Sequence, residues 1–182
     1  MKKVFLSVLL IFSISEATAS IKENLINNLK DIDNLTFNFE QNINGKTENG
    51  NCTIEYPKKI ICKYDLKNKK ILVSNGRSLV IKTSNSFYIY PIEKTPLNLI
   101  LDKDFLINKI KNLSERIVND KFINYRFIEN QNEINIFFNK DNYNLIGWQT
   151  LDIYQNLSIT YIDIVFVNQK LKKNLFKLPN QD

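Results

Sequence analysis

Residues Leu35 to Tyr64, LTFNFEQNINGKTENGNCTIEYPKKIICKY, decide how the rest of the chain can fold. Leu35, Phe37, Phe39 and Ile43 fall on alternate positions, as do Cys52, Ile54 and Tyr56, and then Ile60, Cys62 and Tyr64. A period of two puts each set on one face of a strand. Between the last two runs stands Tyr56-Pro57-Lys58-Lys59, where Pro57 has no backbone N–H to give a ladder and marks a turn. A hairpin folded about Pro57 sets Cys52 opposite Cys62 and Ile54 opposite Ile60. The hydrophobic period, the turn and the cysteine spacing ask for the same register.

The two cysteines are the only ones in the chain. Facing each other on paired strands in an oxidising space they are expected to form a disulfide, worth roughly 2.5–3 kcal/mol for so short a loop. The N-terminus points to such a space. Met1-Lys2-Lys3, the apolar run VFLSVLLIFSI and Ala17-Thr18-Ala19 read as the basic, apolar and cleavage regions of a signal peptide over residues 1–19. The expected mature protein is one domain over 20–182, exported and soluble, with no lipid anchor of its own because no cysteine follows the small residues. The 182-residue chain carries a net charge of +6, with local clusters at Lys67, Lys69, Lys70 and at Lys170, Lys172, Lys173. These suit a solvated basic face, or contact with anionic head groups or an acidic partner. Export argues against nucleic acid as a partner.

Ile21, Leu25, Leu29 and Ile32, with Ile26 beside them, recur at helical spacing and predict an amphipathic helix over 21–33. Asn44-Gly45 and Asn49-Gly50 are read as bracketing a polar loop. Short strands follow at 71–74, 78–82 and 87–90, with Asn75-Gly76 as a hairpin turn. Thr95 is read as a cap and Pro96 as the first turn of a helix over 97–113, where Leu97, Leu101, Phe105, Ile110 and Leu113 share a broad face widened by Ile100, Leu106 and Ile107. Further strands are read at 122–128, 133–139, 145–152, 157–167 and 175–178. The sum is a mostly β chain of about eleven short strands and two main helices, with no internal repeat or linker. One antiparallel sheet this wide must twist and curl, and the apolar helices then cover its concave side. Spacing alone leaves the interior open between a filled core and a cavity.

The chemistry of catalysis is sparse. There is no histidine and no glycine-rich phosphate loop. Histidine-based triads, Cys–His nucleophiles and most zinc sites are thereby excluded. Asp102, Asp104, Glu129 and Glu133 read as caps or solvated side chains. The chain is expected to be a binder of apolar ligands rather than an enzyme, with no cofactor.

Five motifs in order resemble the outer-membrane lipoprotein carrier protein family, LolA. They are Phe39-Glu40-Gln41 at the end of the first strand, the Tyr56-Pro57 hairpin with its flanking strands, Ile71-Leu72-Val73-Ser74-Asn75-Gly76-Arg77, Thr95-Pro96-Leu97-Asn98-Leu99-Ile100, and Leu151-Asp152 followed by Ile159-Thr160. The resemblance implies a half-open barrel lidded by helices, and a periplasmic, monomeric carrier. It would take acylated lipoproteins from an inner-membrane lipoprotein-releasing transporter to the outer membrane, where a receptor is left open. The chain departs from the family where a turn arginine thought to latch the lid is replaced by Tyr56. On this reading Leu35, Phe37, Phe39, Ile54, Ile60, Tyr64 and Trp148 line the acyl cavity, although each also suits plain core. Leu97, Ile100, Leu101, Phe105 and Ile110 form the lid, and Tyr56 holds the latch position. Its runners-up are an exported module for another lipid and a protein-binding sensor domain.

Overall fold

The computed structural model describes residues 20–129, 131–151 and 155–181. The signal peptide read at residues 1–19 and the motif residue Asp152 lie outside them. Helix α1 (Ile21–Asp31) opens with a capping box in which the Ser20 hydroxyl accepts from the Glu23 N–H and the Glu23 carboxylate accepts from the Ser20 N–H. Leu25, Ile26 and Leu29 are its buried stripe, continued by Ile32. Six strands follow: β1 (Asn34–Ile43), β2 (Lys46–Glu55), β3 (Lys59–Tyr64), β4 (Ile71–Asn75), β5 (Ser78–Lys82) and β6 (Phe87–Pro91). A 3-10 turn (Ile92–Lys94) leads to α2 (Leu97–Leu101) and α3 (Lys103–Asn112). The chain then returns through β7 (Arg116–Val118), β8 (Phe122–Glu129), β9 (Asn132–Asn139), β10 (Leu145–Leu151) and β11 (Leu157–Val167).

All eleven strands form one sheet in the order β6-β5-β4-β3-β2-β1-β11-β10-β9-β8-β7. Every neighbouring pair is antiparallel. The sheet does not close, so β6 and β7 remain edges, and the molecule is the curved half-open barrel with covering helices that the resemblance implied. Its two edge strands are neighbours in sequence, joined by the helical segment 92–112.

The register read from the sequence is the one found. Cys52 pairs with Cys62 and Ile54 with Ile60. The two cysteines are joined in a disulfide, with Cα atoms 4.1 Å apart.

Four local expectations need correction. Asn49-Gly50 does not end a loop; it lies inside β2, because Asn44 (φ 48°) and Gly45 (φ 81°) turn the chain in two residues and pairing resumes at once between Ile43 and Lys46. The helix read over 97–113 breaks at Asp102. There the Asp102 carboxylate accepts from the Phe105 N–H at 3.0 Å, while the Leu101 carbonyl that a continuous helix would offer Phe105 accepts from the Lys58 N–H at 2.9 Å. Thr95 does not cap α2; its hydroxyl donates back to the Ile92 carbonyl at 2.8 Å and closes the 3-10 turn. Residues 175–178 are not a strand: the chain turns around Phe176, which is buried. The eleventh strand is instead β7, three residues that pair with β8.

Candidate ligand cavity

Strand alternation and register stack the inward side chains of the central strands in layers. The deepest layer holds Leu35, Ile54 and Ile60. Above it, Phe37, Cys52, Cys62, Leu72 and Ile81 run across β1 to β5. The next layer holds Ile162, Phe39, Gly50 and Tyr64. Then come Trp148, Thr160, Gln41 and Glu48, and last Thr150, Ser158 and Ile43. Polarity therefore rises along the strands, from hydrocarbon at one end to hydroxyl and amide at the other.

A half-open cavity of about 390 Å³ lies over these layers. Phe37, Ile60, the disulfide, Leu72, Leu79, Leu97 and Trp148 give it apolar walls. Gly50 is required beneath it. A Cβ there would stand 2.1 Å from the Lys63 carbonyl oxygen and 2.9 Å from Phe39 Cε1, and its absence lets the Phe39 and Tyr64 rings meet edge to face at 4.9 Å across β2.

Of the residues expected to line an acyl site, Phe37, Phe39, Ile60, Tyr64 and Trp148 border the cavity. Leu35 and Ile54 do not; they are wholly buried one layer below. Of the lid residues only Leu97 borders it. Ile100, Leu101 and Ile110 are core, and Phe105 packs edge to face on Phe127 of β8 at 5.9 Å. The cavity wall also includes Gln41, Thr150, Ser158 and Thr160, which an apolar pattern does not single out. Period two could have found them. Gln41 extends the Leu35-Phe37-Phe39 alternation, Thr150 follows Trp148 by two, and Ser158 and Thr160 precede Ile162 on the same face.

These polar groups form a chain. The Gln41 amide donates to the hydroxyls of Ser158 at 3.0 Å and Thr160 at 3.1 Å, and its carbonyl accepts from the Tyr64 hydroxyl at 3.3 Å. Lys70 lies 4.1 Å above the Tyr64 ring and is paired with Glu48. The lysine clusters do not share a place: Lys70 sits at this rim, whereas Lys172 and Lys173 border a second cleft with Lys59 and Asn75, at the far ends of β3 and β4.

Tyr56 lies away from the cavity. Its ring packs on the core with Lys103 Nζ 5.7 Å from the ring centre, and its N–H donates to the Asp33 carbonyl. The contact between the β2–β3 turn and the helices is made by Lys58, through its N–H to Leu101 and its ammonium 3.2 Å from Asp102.

Burial holds the Tyr56 and Tyr64 phenols protonated well above the usual tyrosine range, aided at Tyr64 by the Glu48 charge. Tyr125 is pushed up to about 12 by burial and, secondly, by Glu115. Folded pKa values raised in this way hold protons that the unfolded phenols lose near pH 10. Stability is therefore expected to be unaffected by these groups below about pH 10 and to fall as the pH rises beyond it. Denaturant midpoints across pH 9–12, with tyrosinate absorbance, check this; three phenols titrating with the exposed ones would contradict it.

A curved, open sheet with a largely apolar hollow under the start of α2 is the architecture of a protein that houses a hydrophobic ligand. Comparison narrows this: the chain belongs to the outer membrane lipoprotein carrier protein LolA family, whose model matches residues 30–179. Among solved structures, a LolA superfamily protein from Nitrosomonas europaea is 7% identical with a TM-score of 0.46, covering 88% of this chain and 99% of that one. An uncharacterized conserved protein from Thermus thermophilus is 7% identical with a TM-score of 0.51, over 88% and 93% of the two chains. The lipoprotein LppX of Mycobacterium tuberculosis is 7% identical with a TM-score of 0.45, over 84% and 95%. At these identities the likeness concerns the fold alone. No curated protein matches significantly. Among the described residues no helix is long and apolar enough to cross a membrane.

Proposed function

We propose that this protein is a periplasmic carrier that binds the acyl chains of lipoproteins and moves them, without catalysis, from an inner-membrane transporter toward the outer membrane. The observation that carries the reading is the largely apolar cavity between the sheet and the start of α2 in a chain of this family. The physical need is plain. A triacylated lipoprotein exposes on the order of 45 methylenes, and at about 0.8 kcal/mol each they cannot cross water uncovered. The test is to incubate the mature protein with spheroplasts loaded with radiolabelled lipoprotein. Soluble label in a one-to-one complex is the expected result, and label that stays with the membrane rejects the reading.

One observation favours a second reading, an exported module for a smaller lipid. At about 30 Å³ per methylene, close to a water's share of its liquid, the cavity of about 390 Å³ holds roughly a dozen methylenes. That is one chain rather than three. Mass spectrometry of co-purified ligand separates the two: a diacylglyceryl-peptide for the carrier, a single-chain lipid for the alternative.

Lid closure is assigned here to apolar contact from the helical segment together with the Lys58 junction, not to a polar latch at Tyr56. Tyr56→Phe is therefore expected to leave lipoprotein uptake within about twofold of the parent, since the hydroxyl is one donor and no forked cation. A large loss of uptake would show that Tyr56 is the latch.

A further inference from the structure

We infer that the polar end of the cavity is a subsite for the linkage of the ligand: Thr150, Ser158, Thr160, Gln41 and Tyr64 hold the ester or amide carbonyl oxygens through which acyl chains are attached, while the chain lies over the apolar layers. The inference rests on the acyl-binding reading above and adds the group that is recognised.

Ser158 and Thr160 are each 3% exposed and Thr150 8%, yet all three border a cavity whose other end is hydrocarbon. Hydroxyls covered by hydrocarbon lose water, and among the described residues Ser158 and Thr160 accept from Gln41 while their own protons gain no partner.

Gln41 carries two amide protons, and Tyr64, Ser158, Thr160 and Thr150 carry one hydroxyl proton each. Among the described residues, the hydrogen bonds within this group are those of Gln41 with Ser158, Thr160 and Tyr64. The Thr150 hydroxyl has no partner among the described residues. Among the described residues three protons are thus left with no acceptor. Turning the Gln41 amide over changes which groups keep them but not their number. A cluster with protons to spare selects a ligand group rich in lone pairs.

Lys70 at the rim is consumed by Glu48, so among the described residues the site offers no free cation to offset a carboxylate or a phosphate. A neutral acceptor fits, and the carbonyl next to an acyl chain is the one that enters with it.

Trp148, the chain's sole tryptophan, borders the cavity and reports on occupancy by its fluorescence. The probes are 1-monopalmitoylglycerol and 1-O-hexadecylglycerol, which differ by the carbonyl oxygen. The parent protein is expected to bind the ester about three- to tenfold more tightly, the range of one neutral hydrogen bond. Thr150→Val and Ser158→Ala are expected to weaken the ester more than the ether, so that the preference falls to within twofold. Thr150→Val removes no internal hydrogen bond, so it should fold as the parent does. The same pair of measurements on an S-dipalmitoylglyceryl-cysteine peptide and its dialkyl counterpart distinguishes a lipoprotein linkage from a free glycerolipid. An ester preference in either series supports the inference, and the tighter series names the source. Equal affinity for ester and ether in both series, or variants that weaken both alike, overturns the inference and leaves the carrier reading standing. No binding of any probe removes both.

Discussion

Leu72→Trp is expected to weaken binding of an acyl ligand about tenfold while leaving the chain folded. Leu72 stands on β4 opposite Cys62, half-buried, with its side chain at the cavity wall. It can therefore grow into the hollow rather than into packed neighbours, and the overpacking strain that follows enlargement of a closed core is avoided. An indole there displaces the space of about two methylenes. At about 0.8 kcal/mol each this is close to the 1.4 kcal/mol that makes a factor of ten in affinity. Calorimetric titration with monopalmitoylglycerol measures the loss, and a thermal melt checks the fold. Unchanged affinity in a folded variant would place the ligand somewhere other than this cavity.

Removal of the Cys52–Cys62 bridge, as the double change to alanine, should cost about 2.5–3 kcal/mol. The two cysteines are ten residues apart in sequence, and the cross-link restricts the unfolded chain over that loop. In a domain of this size such a loss lowers the melting temperature by roughly 5–10 °C. The effect should exceed the entropic figure slightly, because both residues belong to the buried cluster and losing their sulfurs also removes packing. The bridge also forms part of the cavity wall, so the double variant should show a changed ligand affinity as well as a lower melting temperature. A variant that melts within about 1–2 °C of the parent would mean that the paired strands hold this hairpin without help.

The hairpin of β2 and β3 is legible in the letters because three signals of different origin meet there: alternation, a proline and two cysteines. Where one signal stands alone it misleads. Asn49-Gly50 looks like a turn, but its glycine serves the crossing of Phe39 and Tyr64, a reason that exists only once β1 and β3 flank β2. The break at Asp102 depends on a hydrogen bond from Lys58, more than forty residues earlier, which no local pattern carries. β7 escapes a pattern reading because three residues, two of them exposed, give alternation too little length. The cavity wall is half legible. Phe37, Phe39, Ile60, Tyr64 and Trp148 follow from period two, but core and cavity share their chemistry, so nothing in the letters tells Leu35 and Ile54 apart from them. The polar wall follows the same alternation, yet a search for apolar letters passes it by.

The sheet's open seam has a mechanical meaning. A closed barrel can widen only by breaking a ladder of backbone hydrogen bonds. Here β6 and β7 share no such ladder, and what spans the gap is the helical strap of residues 92–112, pinned to the opposite wall at Lys58. Splaying the two flanks therefore strains side-chain packing, the Lys58–Leu101 hydrogen bond and the strap's ion pairs, Lys58–Asp102, Lys103–Asp33 and Lys109–Glu129 among them, and leaves the ladders of the sheet intact. On the function proposed above, a container built this way has no fixed gauge, and its bore follows its load.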